Sequence, residues 1–304
     1  MIEVTSLTKR YGSTLAVDDL SFTIHDGKVT GFLGPNGSGK STSMRLMLGL
    51  DHGEGTTLYD GQRIEQLDSV SRVVGAHLDA KYFHPKRTAR NHLRMLAQEA
   101  DLPSAPVDEV IQMMGLSSVA DKAPGGFSLG MGQRLGLAGA LLAAPRTLML
   151  DEPANGLDPQ SIHWLRDFLK DYAAQGNSVF VSSHLLSEME LMADHVVVIA
   201  KGRLVADASM ADIVAKSRRN DVLVRTEVAD RDRLSGELSG MGFAVQPEGA
   251  DGIAVTGATT EEVGRAAHAL GVALLELTAR VASLEDAFLE LTDSDQQYKV
   301  GGDR

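Results

Sequence analysis

Apolar and polar positions follow two different rhythms along this chain. In the first two-thirds, Ile2–Leu7 and Leu20–Ile24 alternate with period two, as half-exposed strands do. Asp26-Gly27, between apolar runs, marks a turn. Val29–Leu33, Thr147–Leu150, Ser178–Ser182 and His195–Ala200 are short and mostly apolar. Stretches with helical periodicity lie between them, such as Leu135–Ala143 and Ser161–Ala174. Strands buried on both faces, alternating with helices, predict a mostly parallel sheet in an α/β fold.

Past the polar junction Lys216–Asp221 the rhythm changes. Asp221–Val228 reads as a strand and Asp230–Met241 as a helix. Phe243–Gln246 and Gly252–Thr256 read as a hairpin pair, Thr259–Leu270 as a helix and Ala273–Thr278 as a strand. That β-α-β-β-α-β order predicts a small ferredoxin-like α+β domain over 217–304, after a first domain over 1–216. Ser283 is placed to cap a further helix with Leu284, Ala287, Phe288 and Leu291 on one face.

Length agrees with two domains: the chain has 304 residues, and a domain takes roughly 100–200. The formal net charge is −12, which argues against a non-specific nucleic-acid binder. The surplus is uneven, −5 over 1–216 and −7 over the much shorter 217–304. With no cysteine, disulfides, a thiol nucleophile and Cys-ligated zinc are excluded. No run reaches the roughly 18–20 apolar residues of a membrane helix, and the start has no secretory h-region. A chain that does not itself span a membrane is expected.

Candidate chemistry sits at the ends of the apolar runs. GPNGSGKS, Gly34–Ser41, follows one run and precedes a helical stretch. Its glycines let the backbone curl so that N–H groups face phosphate oxygens, and a helix N-terminus adds its dipole. In such a loop Lys40 bridges β- and γ-phosphates and Ser41 holds Mg²⁺. TLMLDEP, Thr147–Pro153, ends a strand in two carboxylates: Asp151 suits a metal, and Glu152 suits the polarising of a water. VSSH ends another strand at His184, whose imidazole can hydrogen-bond a γ-phosphate. Lys40 and Asp151 are 111 residues apart, more chain than a compact phosphate-loop core needs. A helical insertion over about 82–142 is therefore expected. Near its end lies FSLGMGQR, Phe127–Arg134.

In these elements residues 2–215 resemble the ATP-binding subunits of ABC transporters, in particular the drug- and antibiotic-export branch. Tyr11 matches the aromatic on which adenine stacks. The phosphate loop is matched by Gly34, Pro35, Asn36, Gly37, Ser38, Gly39, Lys40, Ser41 and Thr42. Phe127–Arg134 matches the signature segment, Asp151 and Glu152 the metal-site and catalytic carboxylates, Asn155–Asp158 the dimer-facing loop, and His184 the switch histidine. The SLEDAFLELT tail is similar to an accessory domain common in this branch. The resemblance implies a phosphate-loop ATPase core with an antiparallel β subdomain. It implies ATP and Mg²⁺ as ligands, a homodimer sandwiching two ATP molecules, and an integral membrane permease as partner. The location would be cytoplasmic, peripheral on the inner face of the membrane. Glu152 and His184 would be catalytic, while Ser128, Gly130 and Asp158 would serve the nucleotide held by the other copy.

Two positions depart from that pattern. The signature keeps Ser128 and Gly130, but Leu129 and Met131 replace a Gly and the Gln. At the loop where the family usually has Gln stands Asp79, shorter and charged, which reaches Mg²⁺ only if the loop moves closer or through water. The basic stretch Lys81, His84, Lys86, Arg87, Arg90, His92 and Arg94 follows. It reads first as a solvated helix face and, more sharply, as a docking surface for the membrane partner. Two further function classes compete: soluble ABC ATPases of translation or repair, and a binding-only cassette used in self-immunity or regulation. One cassette, and no room for a long coiled coil, speak against the first; the presence of both Glu152 and His184 speaks against the second.

Overall fold

The computed structural model describes residues 1–79, 83–103, 105–217 and 221–280. They divide into two compact units, the first running from Met1 to Met210 and the second starting at Ala211. The first unit runs β1 (Ile2–Tyr11), β2 (Thr14–Ile24), β3 (Val29–Leu33), α1 (Lys40–Met47), β4 (Glu54–Tyr59), α2 (Val70–Val73) and β5 (Val74–His77). It continues with α3 (Ala89–Glu99), α4 (Ala105–Met113), α5 (Leu129–Leu141), β6 (Thr147–Leu150), α6 (Pro159–Ala174) and β7 (Ser178–Ser183). It closes with α7 (Leu186–Met192), β8 (His195–Ala200), β9 (Arg203–Ser209) and the start of α8 (Met210–Ser217).

Every residue of β3, β6 and β7 is buried, as the continuous apolar runs require of strands covered on both faces. They lie inside a six-stranded sheet of order β5-β6-β7-β3-β8-β9. All pairs are parallel except β8 with β9. The alternating segments form a separate antiparallel sheet, β2-β1-β4. Phe22 of β2, Phe32 of β3 and Phe180 of β7 pack ring on ring, with centroids 5.0 to 5.6 Å apart. Met44, Met47 and Tyr59 belong to the same buried cluster. The Tyr59 hydroxyl donates to the Met47 carbonyl at 3.0 Å, which satisfies the one polar atom that burial would otherwise strand.

Register decides what meets at the carboxyl end of the central strands. Leu33 pairs with Ser183 and Leu150 with Val181. The loops that follow β3, β6 and β7 therefore leave from the same carboxyl end of the sheet, carrying Gly34–Lys40, Asp151–Glu152 and His184.

The helices α3, α4 and α5 lie between β5 and β6. Thr88 caps α3 by accepting from the Asn91 N–H at 3.3 Å. The basic stretch is not uniformly a solvated face: His92 is buried with Ala89, Leu93 and Ala97, and Arg90 is paired to Asp108 and Asp121. Helical periodicity puts His92 three residues after Ala89 and five before Ala97, on the apolar side. Lys81 lies outside the described residues. Strand β9 escaped the sequence reading because it is a half-exposed edge strand with no sustained apolar alternation.

The second unit contains β10 (Asp221–Thr226), α9 (Val228–Gly240), β11 (Ala244–Glu248), β12 (Gly252–Thr256), α10 (Thr260–Leu270) and β13 (Leu274–Arg280). Its antiparallel sheet has the order β11-β12-β10-β13, the ferredoxin-like arrangement expected from the element order. Val222, Val224, Ile253 and Val255 of the sheet share a core with Leu234, Leu238, Val263 and Ala266 of the helices. Thr259 and Glu262 form a reciprocal capping box at α10. The helix expected from Ser283, with Leu284, Ala287, Phe288 and Leu291, falls outside the described residues.

The aromatic cluster between the two sheets of the first unit makes a stability prediction. Phe32 is fully buried, so Phe32→Ala should cost about 3–5 kcal/mol, read as a lower urea midpoint of the first unit. A shift under about 1 kcal/mol would mean the sheets do not pack through these rings.

Candidate functional site

The loop after β3 is shaped by glycines that tolerate no side chain. Gly39 precedes α1 with φ 106°, and a methyl there would lie 2.5 Å from the Ala16 carbonyl. Gly37 has φ 79°. Gly34 is buried, and its methyl would lie 2.5 Å from the Ile199 carbonyl. Pro35, Asn36 and Gly37 are exposed at the tip. Ser38 is buried, and its Oγ has no partner among the described residues, an unmet hydrogen-bonding group in a curled loop. No side chain caps α1, so its first-turn N–H groups remain available to an anion. Ser41 is exposed and Thr42 half-buried on that turn.

Lys40 folds under the loop. Its Nζ donates to the carbonyls of Gly34 at 2.7 Å and Pro35 at 3.4 Å. It lies 3.4 Å from Glu152 Oε1, the two side chains being 7% and 19% exposed. The other carboxylate oxygen of Glu152 is 2.8 Å from His184 Nδ1. Glu152 has φ 48°, a left-handed conformation uncommon for this residue type. Its N–H donates to Ser182 Oγ at 2.9 Å, and that hydroxyl donates to Asp151 Oδ1 at 2.5 Å. The Asp151 N–H donates to the His77 carbonyl at 2.9 Å. One serine thus orients the Asp151 carboxylate and holds the Glu152 backbone. Ser182 was not singled out in the sequence; the hydroxyl pair of VSSH was the available signal.

Asp79 is exposed, two residues beyond the end of β5. It and Asp151 both lie near enough to His77 to favour its protonation, yet burial dominates and holds the His77 imidazole below its usual pKa. Nε2 of His77 is 2.7 Å from Gln133 Oε1. Tyr11 ends β1, half exposed, and its hydroxyl donates to Asp51 Oδ2 at 3.1 Å. The Lys9 ammonium lies 4.9 Å from its ring centroid.

Ser128, Gly130 and Asp158 form a second group. Ser128 caps α5, its Oγ accepting from the Met131 N–H at 3.2 Å. Asp158 caps α6, accepting from the Ser161 N–H at 2.7 Å, and bonds to the Ser161 backbone and side chain hold its carboxyl below the ordinary range. A methyl on Gly130 would lie 3.4 Å from Leu157 Cδ2. This group joins the first through the Asn155 N–H, which donates to the Glu152 carbonyl at 3.1 Å. Behind it the Arg134 guanidinium stacks 4.2 Å over Trp164.

Known proteins match both parts of the chain. A family model described as ABC transporter matches residues 17–155, and one described as a domain of unknown function (DUF8746) matches 220–285. The chain is 40% identical over 216 residues to the uncharacterized ABC transporter ATP-binding protein YhcH of Bacillus subtilis, covering 70% of this chain and 71% of that protein. It is 32% identical over 300 residues to the bacitracin transport ATP-binding protein BcrA of Bacillus licheniformis, covering 96% and 97%. It is 33% identical over 307 residues to the Nod factor export ATP-binding protein I of Burkholderia lata, covering 97% and 98%. Among solved structures, an ATP-binding subunit of an ABC transporter superimposes with TM-score 0.64 at 26% identity, over 71% of this chain and 92% of that one. A dimeric ATP-binding cassette bound to ADP and Pi has TM-score 0.61 at 21% identity, over 69% and 99%, and speaks for the fold alone. With a phosphate-shaped loop, a buried lysine and a paired strand-end glutamate inside matches of this extent, the protein belongs to the ABC transporter ATP-binding family and is an ATPase of that family.

Proposed function

We propose that this chain powers an export system for a drug, antibiotic or lipid-like cargo through a separate integral membrane permease. Two copies would sandwich two ATP molecules at the inner face of the membrane. Relatives named for bacitracin transport and Nod factor export support the direction and the cargo class. Among the described residues no helix is long and apolar enough to cross a membrane, which fits work through a partner. In this reading 1–216 is the ATP-binding domain, with helices inserted over about 82–142, and 217–304 an accessory domain.

The observation that carries the reading is the line Lys40–Glu152–His184, three residues from three strand ends within hydrogen-bonding or ion-pair reach. In its assigned role Glu152 takes the proton of the attacking water as general base. His184 holds the second oxygen of that carboxylate, which fixes its direction. Lys40 and the N–H groups of the glycine loop stabilise charge on the phosphoryl oxygens. Gly34–Thr42 binds the phosphates and Tyr11 offers a ring face to the adenine. Ser128, Gly130 and Asp158 face the nucleotide of the other copy. The residues fit a divalent ion: Asp151 is half-buried and oriented by Ser182, and Ser41 is exposed on the first turn of α1. Ser41 and Asp151 would hold Mg²⁺, with Asp79 at longer reach, and the ion would neutralise charge on the β- and γ-oxygens. The competing binding-only reading is disfavoured by the direct Glu152–His184 contact, which a cassette without hydrolysis has no need to keep.

Glu152→Gln keeps the shape and removes the base. ATP should still bind, steady-state phosphate release should fall by roughly 10²–10⁴-fold, and an ATP-bound dimer should accumulate in size-exclusion chromatography. Hydrolysis at the wild-type rate would show that another group is the base.

Lys40→Ala removes the cation under the loop and should weaken ATP affinity in a direct titration. Undiminished affinity would sink the assignment of the phosphate site.

Truncation after Lys216 should leave ATP binding intact, because every matched nucleotide motif precedes that point. It should weaken ATP-driven dimerisation or recruitment to the permease, measured by co-purification. If dimerisation and transport both persist unchanged, 217–304 is an appendage; if a folded truncate cannot bind ATP, the boundary lies elsewhere.

A further inference from the structure

Leu129 is one of two residues, with Met131, at which the signature segment leaves its family pattern, and it occupies a specific seat. It opens α5, 43% exposed. Its Cδ2 lies over Gly156, so closely that a methyl on Gly156 would overlap it. Gly156 itself has φ 69°. The converse contact lies beside it: Gly130 is covered by Leu157, with Ser161 Oγ 3.7 Å from where a Gly130 methyl would stand. Two leucines therefore sit on two glycines, each pair joining residues 129–130 to residues 156–157.

Both halves of this interleaved contact are anchored. The α5 side is fixed by the Ser128 cap, and the loop side by the Asp158 cap on α6. The loop also hangs from Glu152 through the Asn155 N–H. A glycine at 129 would have nothing to place on Gly156.

We propose that Leu129 is a positioning residue for ATP hydrolysis: seated on Gly156, it makes the signature turn and the 155–158 loop move as one element. This rests on the paired-copy reading above. There, Ser128 and Gly130 serve the nucleotide of the second copy while Glu152 serves the chain's own. The interlock thus connects the two nucleotide sites through one chain, and each site senses whether the other is closed. Because Leu129 is partly exposed, its truncation removes little burial, so an effect on rate and cooperativity separates from an effect on stability.

The test uses the full chain with L129A, G156A and the double variant, followed by ATPase rate against ATP concentration. L129A should keep ADP affinity within about twofold and melting temperature within about 2 °C of wild type. Its kcat should fall by about 3- to 30-fold, and its Hill coefficient for ATP should drop towards 1. G156A should unseat the Leu129 side chain, so the double variant should be no slower than G156A alone. The inference is overturned if L129A keeps the wild-type kcat and Hill coefficient, or if the two single losses multiply in the double variant. A wild-type Hill coefficient near 1 would overturn both this inference and the paired-copy reading. A wild-type coefficient above 1 that survives L129A would overturn this inference alone.

Discussion

A lysine ammonium buried to 7% exposure is the constraint around which the proposed nucleotide site is built. Removing such a group from water costs several kcal/mol unless charge and hydrogen bonds replace its hydration. Here the Gly34 and Pro35 carbonyls supply the hydrogen bonds and Glu152 the countercharge. The same geometry suits the carrying of phosphate charge, because a phosphate chain offers what Glu152 offers, with more charge. The glycine loop is the other half of that arrangement: only residues without a Cβ let the backbone pass beside the Ala16 and Ile199 carbonyls and still curl over Lys40.

Glu152 is held where the lysine needs it by its backbone rather than by propensity. Its left-handed φ has a cost of order 1–3 kcal/mol. The conformation persists because Ser182 accepts its N–H, Asn155 donates to its carbonyl, and His184 and Lys40 take its two carboxylate oxygens. Ser182 also donates to Asp151, so a single hydroxyl on β7 fixes the Asp151 carboxylate and the Glu152 backbone at the end of β6. A central parallel strand can do this because both neighbours end beside it: β3 ends opposite Ser183 and β6 opposite Val181, which leaves Ser182 beside Asp151.

The aromatic contacts divide in a similar way between support and function. Phe22, Phe32 and Phe180 lie between the sheets and carry packing energy. The Arg134–Trp164 stack lies instead between α5 and α6, the two helices whose first turns hold Ser128 and Asp158. That cation–π contact and the Leu–Gly interlock work in the same direction, keeping the two helix starts together. The half-exposed ring of Tyr11 belongs to neither group; it stands at the end of β1 between Lys9 and Asp51.

Local pattern alone was enough for the elements whose cause is local. The apolar runs at Val29–Leu33, Thr147–Leu150 and His195–Ala200 became strands with those bounds, because each run is flanked by a charged residue or a glycine: Lys28 and Gly34, Arg146 and Asp151, Asp194 and Lys201. The βαββαβ order of the tail was legible for the same reason, with turn glycines and the Thr259 cap as punctuation. Motif chemistry named Lys40, Asp151, Glu152 and His184, since residue type and spacing carry that information. Sequence was silent on what depends on pairing across the chain. The burial of His92, the role of Ser182 and the edge strand β9 each follow from which surfaces meet. Leu129 read as a departure from a pattern; only folding brought Gly156 beneath it, because a contact between positions 27 residues apart has no periodicity to betray it.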